Sequence, residues 1–136
     1  MYIHPDDNKI KQILERGRTI AVVGLSDKVH RDSYQVARYM QEKGYRIIPV
    51  NPRAKIVLGE TAYTNILEIP EKVDIINIFR RSDQVLPIVQ DSLKIKPGAI
   101  WLQLGIINDE AARLCREAGV DFIMDKCIKV EHARLF

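Results

Sequence analysis

Along the chain, short continuous apolar runs alternate with longer segments in which apolar positions recur at helical spacing. After a polar first helix, from about Pro5 to Arg16, the run Thr19-Ile20-Ala21-Val22-Val23 is apolar, rich in β-branched residues and ended by Gly24, which predicts a strand buried on both faces. Ser33 is the predicted cap of a helix that carries Val36, Ala37, Tyr39 and Met40, and Gly44 closes it. Tyr45 to Val50 reads as the second strand. Asn51-Pro52 ends it, because proline brings no N–H to a ladder and restricts the residue before it. Val73 to Ile78 is the third strand, and Asp83 to Lys94 a helix that tolerates Pro87 in its first turn. Ala99 to Leu102 is the fourth strand; Asn108 caps a helix from Asp109 to Ala118, Gly119 closes it, Val120 to Met124 is the fifth strand, and a short polar helix ends the chain. Parallel strands joined through helices need right-handed crossovers. The expectation is therefore an α/β, Rossmann-like, doubly wound and mostly parallel five-stranded sheet with helices on both faces.

Composition narrows the class. The 136 residues fit a single domain, 1–136, and 46% hydrophobic with 29% charged residues is the balance of a chain that folds alone. The start MYIHPDDNKIKQ has no apolar stretch suited to a signal peptide, and nowhere do about 18 apolar residues run together, so a cytoplasmic protein without a membrane partner is expected. Cys115 and Cys127 are too far apart in sequence for a CxxC pair, and no metal is expected. The net charge of +3, from 21 basic against 18 acidic residues, is weak for a nucleic-acid binder, and no nucleic-acid partner is expected.

In a doubly wound sheet ligands sit beyond the carboxyl ends of the strands, so the loops there carry the chemistry. After the first strand, Gly24, Ser26, Lys28, His30 and Arg31 precede a helix N-terminus: a close-approach glycine, a hydroxyl and cations beside a positive helix end make an anion site. A dinucleotide fingerprint GxGxxG is matched only at Gly24, because Ser26 and Val29 stand at the other two glycine positions. Where dinucleotide binders carry an acid for the ribose diol, the second strand ends in Asn51-Pro52-Arg53-Ala54-Lys55. Bases there suit a phosphate on the ribose, as in NADP or the 3′-phosphate of coenzyme A. Phe79, Arg80 and Arg81 follow the third strand and suit an adenine or phosphate neighbourhood, while Gly105 after the fourth lets backbone approach a ligand; Trp101 reads as core. The excess of base at one sheet edge is the electrostatics of a ligand with several phosphates.

These pieces, IAVVGLS at residues 20–26, YRIIPVNP at 45–52, Gly59-Glu60, DIINIFRR at 74–81, WLQLG at 101–105 and the tail MDKCIKVEH at 124–132, resemble the small stand-alone CoA-binding domain proteins, similar to the N-terminal domain of succinyl-CoA synthetase α subunits. The resemblance implies a module for coenzyme A or an acyl-CoA. Gly24 and Ser26 would lie at its phosphates, Arg53 and Lys55 at the adenosine end, Phe79 and Arg80 beside adenine and pantetheine, and Gln103 to Gly105 along the pantetheine arm. The larger synthetases use a second domain with a phosphorylated histidine, which the resemblance does not reach, so a non-catalytic binding module is expected. The alternatives are a CoA-dependent transferase or ligase subunit working with a separate partner chain, or an NADP-binding redox sensor; a homo-oligomer stays open. Asn51 and Asn77 are read as groups that orient a pantetheine amide, and Cys127 as a structural cysteine.

Overall fold

The computed structural model describes residues 2–136. In chain order it contains α1 (Asp7–Arg16), β1 (Thr19–Val23), α2 (Asp32–Glu42), β2 (Arg46–Val50), the short strands β3 (Ile56–Val57) and β4 (Glu60–Thr61), β5 (Ile75–Ile78), α3 (Val85–Lys94), β6 (Ala99–Leu102), α4 (Asp109–Ala118), β7 (Asp121–Ile123) and α5 (Ile128–Leu135). Single 3₁₀ turns at Ile66–Glu68 and Ser82–Gln84 join them. The main sheet is parallel throughout, in the order β2-β1-β5-β6-β7, and the fold is Rossmann-like, as its sequence pattern predicts.

Because successive strand residues point to opposite faces, the apolar runs feed two cores at once. Ala21, Val23, Ile76, Ile78, Ile100 and Leu102 face one core with Val85, Val89, Ala111 and Cys115 from α3 and α4. Ile20, Val22, Ile75 and Trp101 face the other with Ile10, Leu14, Val36, Met40 and Ile128 from α1, α2 and α5. Trp101 is fully buried and its indole N–H donates to the Lys126 carbonyl at 2.8 Å.

Three features depart from the sequence reading. Ser33 is not the cap of α2: the cap position is Arg31, without a side-chain acceptor, and the Ser33 hydroxyl oxygen instead accepts the Ser26 N–H at 3.0 Å. The second is the antiparallel hairpin β3-β4, which turns through Leu58 and Gly59 with φ of 55° and 77°. The third strand also starts later than expected, since the Asp74 carboxylate accepts the N–H groups of Arg18 and Thr19 and its carbonyl those of Gly98 and Ala99.

The chain leaves β1 through α2 to reach β2 on one side, then returns to place β5 on the other. Helices α2 and α3 therefore fall on opposite faces, and a crevice opens above the carboxyl ends of β1 and β5.

Candidate ligand-binding cleft

That crevice is an open cleft of about 950 Å³ whose walls include Gly24, Ser26, Lys28, Arg31, Asn51, Pro52, Arg53, Phe79, Arg80 and Arg81. A second hollow of about 740 Å³ shares Phe79, Arg80 and Arg81 with it and continues past Gln103 and Gly105 to Cys127 and Lys129. The two form one path across the sheet edge. Lys55 lines neither; it is exposed at the approach to the β3-β4 hairpin. His30, Asp27 and Asp32 join the basic half. Gln84, Gln35 and Lys129 also line the path, and local sequence pattern did not mark them.

Gly24 is required first by the fold. Its φ is +83°, and a Cβ there would overlap the Phe79 carbonyl oxygen and lie 3.2 Å from the Arg80 Cδ. Its N–H donates to the Val50 carbonyl, and the Phe79 N–H to that of Val23, so the ends of β1, β2 and β5 are laced together under the cleft. Above this floor, the Ser26 hydroxyl oxygen accepts the Lys28 N–H at 3.0 Å, a hydroxyl turn that shapes the first loop. Asn51 donates from its side-chain amide to the Leu25 carbonyl and accepts the Arg53 N–H, both at 2.8 Å, so it ties the second loop to the first and aims Arg53. Its amide and carbonyl oxygen thus both bond backbone while the side chain still lines the cleft.

Charge decides what such a cleft takes. Among the described residues, Lys28, Arg31, Arg53 and Arg80 have no carboxylate oxygen within 4.0 Å, whereas Arg46, Arg113 and Arg134 elsewhere are each held by two acids. Arg81 meets Asp83 at 3.4 Å, with both side chains largely in solvent. The α2 N-terminus opens into the same space without a side-chain cap, so its first-turn amides and dipole add to the positive field.

The second hollow is built differently. Gln103 is 7% exposed, and its side-chain oxygen accepts from the Asn77 amide and from the Ile128 N–H, each at 3.3 Å. Asn77 is 1% exposed and also donates to the Trp101 carbonyl, so its amide holds Gln103 in place. The Gly105 N–H is likewise taken, by the Asp125 carboxylate at 2.8 Å. Cys127 is half-buried at the head of α5. Cys115 lies in the core, where burial pushes its thiol up to about 12. Neither histidine outside the cleft adds chemistry to it: His4 stacks edge-on with Tyr2, and His132 is turned to Tyr39. No group of three or more potential metal ligands occurs among the described residues, and no helix there is long and apolar enough to cross a membrane.

A family profile described as the CoA binding domain matches residues 18–133. The chain belongs to that family. Within the CoA-binding domain family its relatives include the uncharacterized protein YneT of Bacillus subtilis, 45% identical over 130 residues and covering 96% of both chains. A solved structure from Thermus thermophilus, cell-free ID.343, superposes with a TM-score of 0.93 at 37% identity, over 97% of this chain and all of that one. The α subunit of an ADP-forming acetate–CoA ligase II from Pyrococcus furiosus is 39% identical over 59 residues, which are 43% of this chain and 13% of the subunit. The likeness to the ligase is thus one of a shared CoA-binding region, and the chain spans a small part of that subunit's length.

Proposed function

We propose that the cleft binds coenzyme A. The observation that carries the reading is the set of unpaired cations, Lys28, Arg31, Arg53 and Arg80, gathered with an uncapped helix N-terminus at the strand-order reversal. The diphosphate would sit on the α2 N-terminus and the Ser26 loop, with Lys28 and Arg31 beside it. Arg53, aimed by Asn51, would take the ribose 3′-phosphate, and Phe79 with Arg80 would flank the adenosine. The pantetheine arm would then pass Arg81 into the second hollow toward Gln103. Membership of the CoA-binding domain family supports the choice of ligand, and the absence of an acid at the end of β2 argues against NAD.

Titration calorimetry with coenzyme A, dephospho-coenzyme A, NADP and NAD tests this. Removing the ribose phosphate deletes one charge-assisted contact, about 1.5–3 kcal/mol, so dephospho-coenzyme A should bind roughly ten- to a hundredfold more weakly, with NAD weaker still. In Arg53→Ala the gap between the first two ligands should close. Equal affinity of the wild-type chain for both would remove the role given to Arg53, and NADP binding as tightly as coenzyme A would redirect the site to nucleotide redox cofactors.

A further inference from the structure

We infer that the second hollow is an acyl site, and that its ligand is an acyl-CoA whose acyl chain carries a carboxylate; this rests on coenzyme A occupying the basic half. Gln103 supplies the first observation. Two donors, the Asn77 amide and the Ile128 N–H, converge on its side-chain oxygen, which fixes the orientation of the amide. Its NH₂ group is left without a protein acceptor among the described residues, on a side chain more than nine-tenths buried that lines the hollow. Every fully buried side-chain nitrogen and oxygen among the described residues has a partner, so this NH₂ opens to the hollow, where a ligand oxygen can take the place of water on a donor already fixed in orientation. A free thiol is a poor acceptor, and a thioester carbonyl is a good one.

Lys129 supplies the second. It lines the same hollow from the first turn of α5, with no carboxylate within 4.0 Å, and its ammonium lies 5.5 Å from the centre of the Tyr39 ring. The nearby acid of α5, Glu131, is already bound to Arg134 and Lys126. Cys127 makes no capping bond at the head of α5, where the Gln103 side-chain oxygen instead takes the first amide, that of Ile128. A donor for a carbonyl at the end of β6 and a free ammonium in the first turn of α5, both lining one hollow, are together the recognition set for a thioester with a carboxylate farther along the chain. Leu104 and Ile106 flank the space between and suit its methylene groups.

The test compares coenzyme A, acetyl-, butyryl-, malonyl-, succinyl- and glutaryl-CoA by titration calorimetry at low salt, on the wild-type chain, Lys129→Gln and Gln103→Glu. One of the carboxylated thioesters should bind about tenfold more tightly than the uncharged ones. In K129Q that preference should vanish while affinity for coenzyme A stays within about twofold, because Lys129 lies outside the phosphate half. In Q103E, which keeps an oxygen for Asn77 and Ile128 but replaces the donor, every thioester should weaken more than coenzyme A does. Equal affinity across the acyl series, or a preference that survives K129Q, overturns the inference with coenzyme A binding intact. Failure of all six ligands to bind removes the parent reading and this one with it.

Discussion

Gly24 and Gly105 have nearly the same backbone, φ of +83° and +84°, in very different surroundings, and the pair makes a controlled experiment. Any L-residue in this left-handed region costs about 1–2 kcal/mol relative to glycine. At Gly105 nothing lies within 4 Å of the added Cβ, so Gly105→Ala should cost only that amount. At Gly24 the methyl would overlap the Phe79 carbonyl oxygen, which belongs to the backbone leaving β5 and cannot rotate away. Relieving the overlap means moving the ends of β1 and β5 apart, an overpacking cost of about 1–3 kcal/mol on top of the first. Gly24→Ala should therefore destabilise by about 2–5 kcal/mol, against about 1–2 for Gly105→Ala. For a chain of this size that is a fall in Tm of about 6–15 °C against about 3–6 °C. Urea denaturation of both variants at one temperature measures the difference, with an unchanged slope showing that the unfolded states are comparable. Because the same carbonyl borders the basic cleft, coenzyme A should also bind Gly24→Ala more weakly where the fold is intact. Losses equal within about 0.5 kcal/mol would show that backbone sign alone demands Gly24 and that the strand ends do not crowd it.

Two further outcomes follow from loop and helix chemistry. Ser26→Val removes the hydroxyl that shapes the first loop and places a branched side chain at the phosphate position, so coenzyme A affinity should fall at least tenfold while stability changes by about 1 kcal/mol; calorimetry and thermal melts read the two separately, and loss of folding would mean the loop is core. The nearly buried His132 is held below its usual pKa, by burial first and then by Lys43 and Arg18. It packs on Tyr39, Tyr45 and Phe136. The folded state therefore takes up this proton only at lower pH than the unfolded chain, and the stabilisation is complete above the unfolded pKa of about 6.5 and lost as pH falls toward the depressed folded value. Denaturation midpoints between pH 7.5 and 5.5 should thus drop more for the wild type than for His132→Gln, and parallel pH profiles would refute the assignment.

The strands were legible because burial on both faces leaves little choice of residue: β1 and β6 start and stop where their apolar runs do, at Thr19–Val23 and Ala99–Leu102. The ends of the other strands moved by a residue or two where a side chain took over from the ladder, as Asp74 does before β5. The β3-β4 hairpin was missed because two-residue strands carry no periodicity, although Gly59 in its turn was a local signal. The site divides the same way. Gly24, Ser26, Arg53 and Arg80 follow strand ends, so topology alone brings them to one edge. The roles of Ser33 and Asn51 depend on contacts between loops, and Lys129 and the locked Gln103 depend on α5 folding back across the sheet, which no local pattern announces.

The pairing of charges over the molecule explains why the cleft can remain open and still be selective. With 21 bases and 18 acids the chain has nearly enough carboxylates for every cation, and some bases away from the cleft are each held by two of them: Arg46 bridges Glu60 and Glu71 at 3.0 and 2.6 Å, and Arg134 bridges Asp7 and Glu131, each at 2.8 Å. In the cleft Asp27 and Asp32 are present yet meet no cation within 4.0 Å among the described residues. Holding unpaired bases there is inexpensive, since unit charges about 10 Å apart in water repel by only about 0.4 kcal/mol. Tying one to a carboxylate would cost the site much more, because a ligand phosphate would first have to break that pair. A ligand that brings several negative charges on one frame engages all the loops at once and gains from each, whereas a monoanion gains from one. For the proposed ligand, specificity in the basic half would lie in the number and spacing of phosphates, which would leave the identity of whatever the thiol carries to the second hollow, where Gln103 is fixed and Lys129 is free.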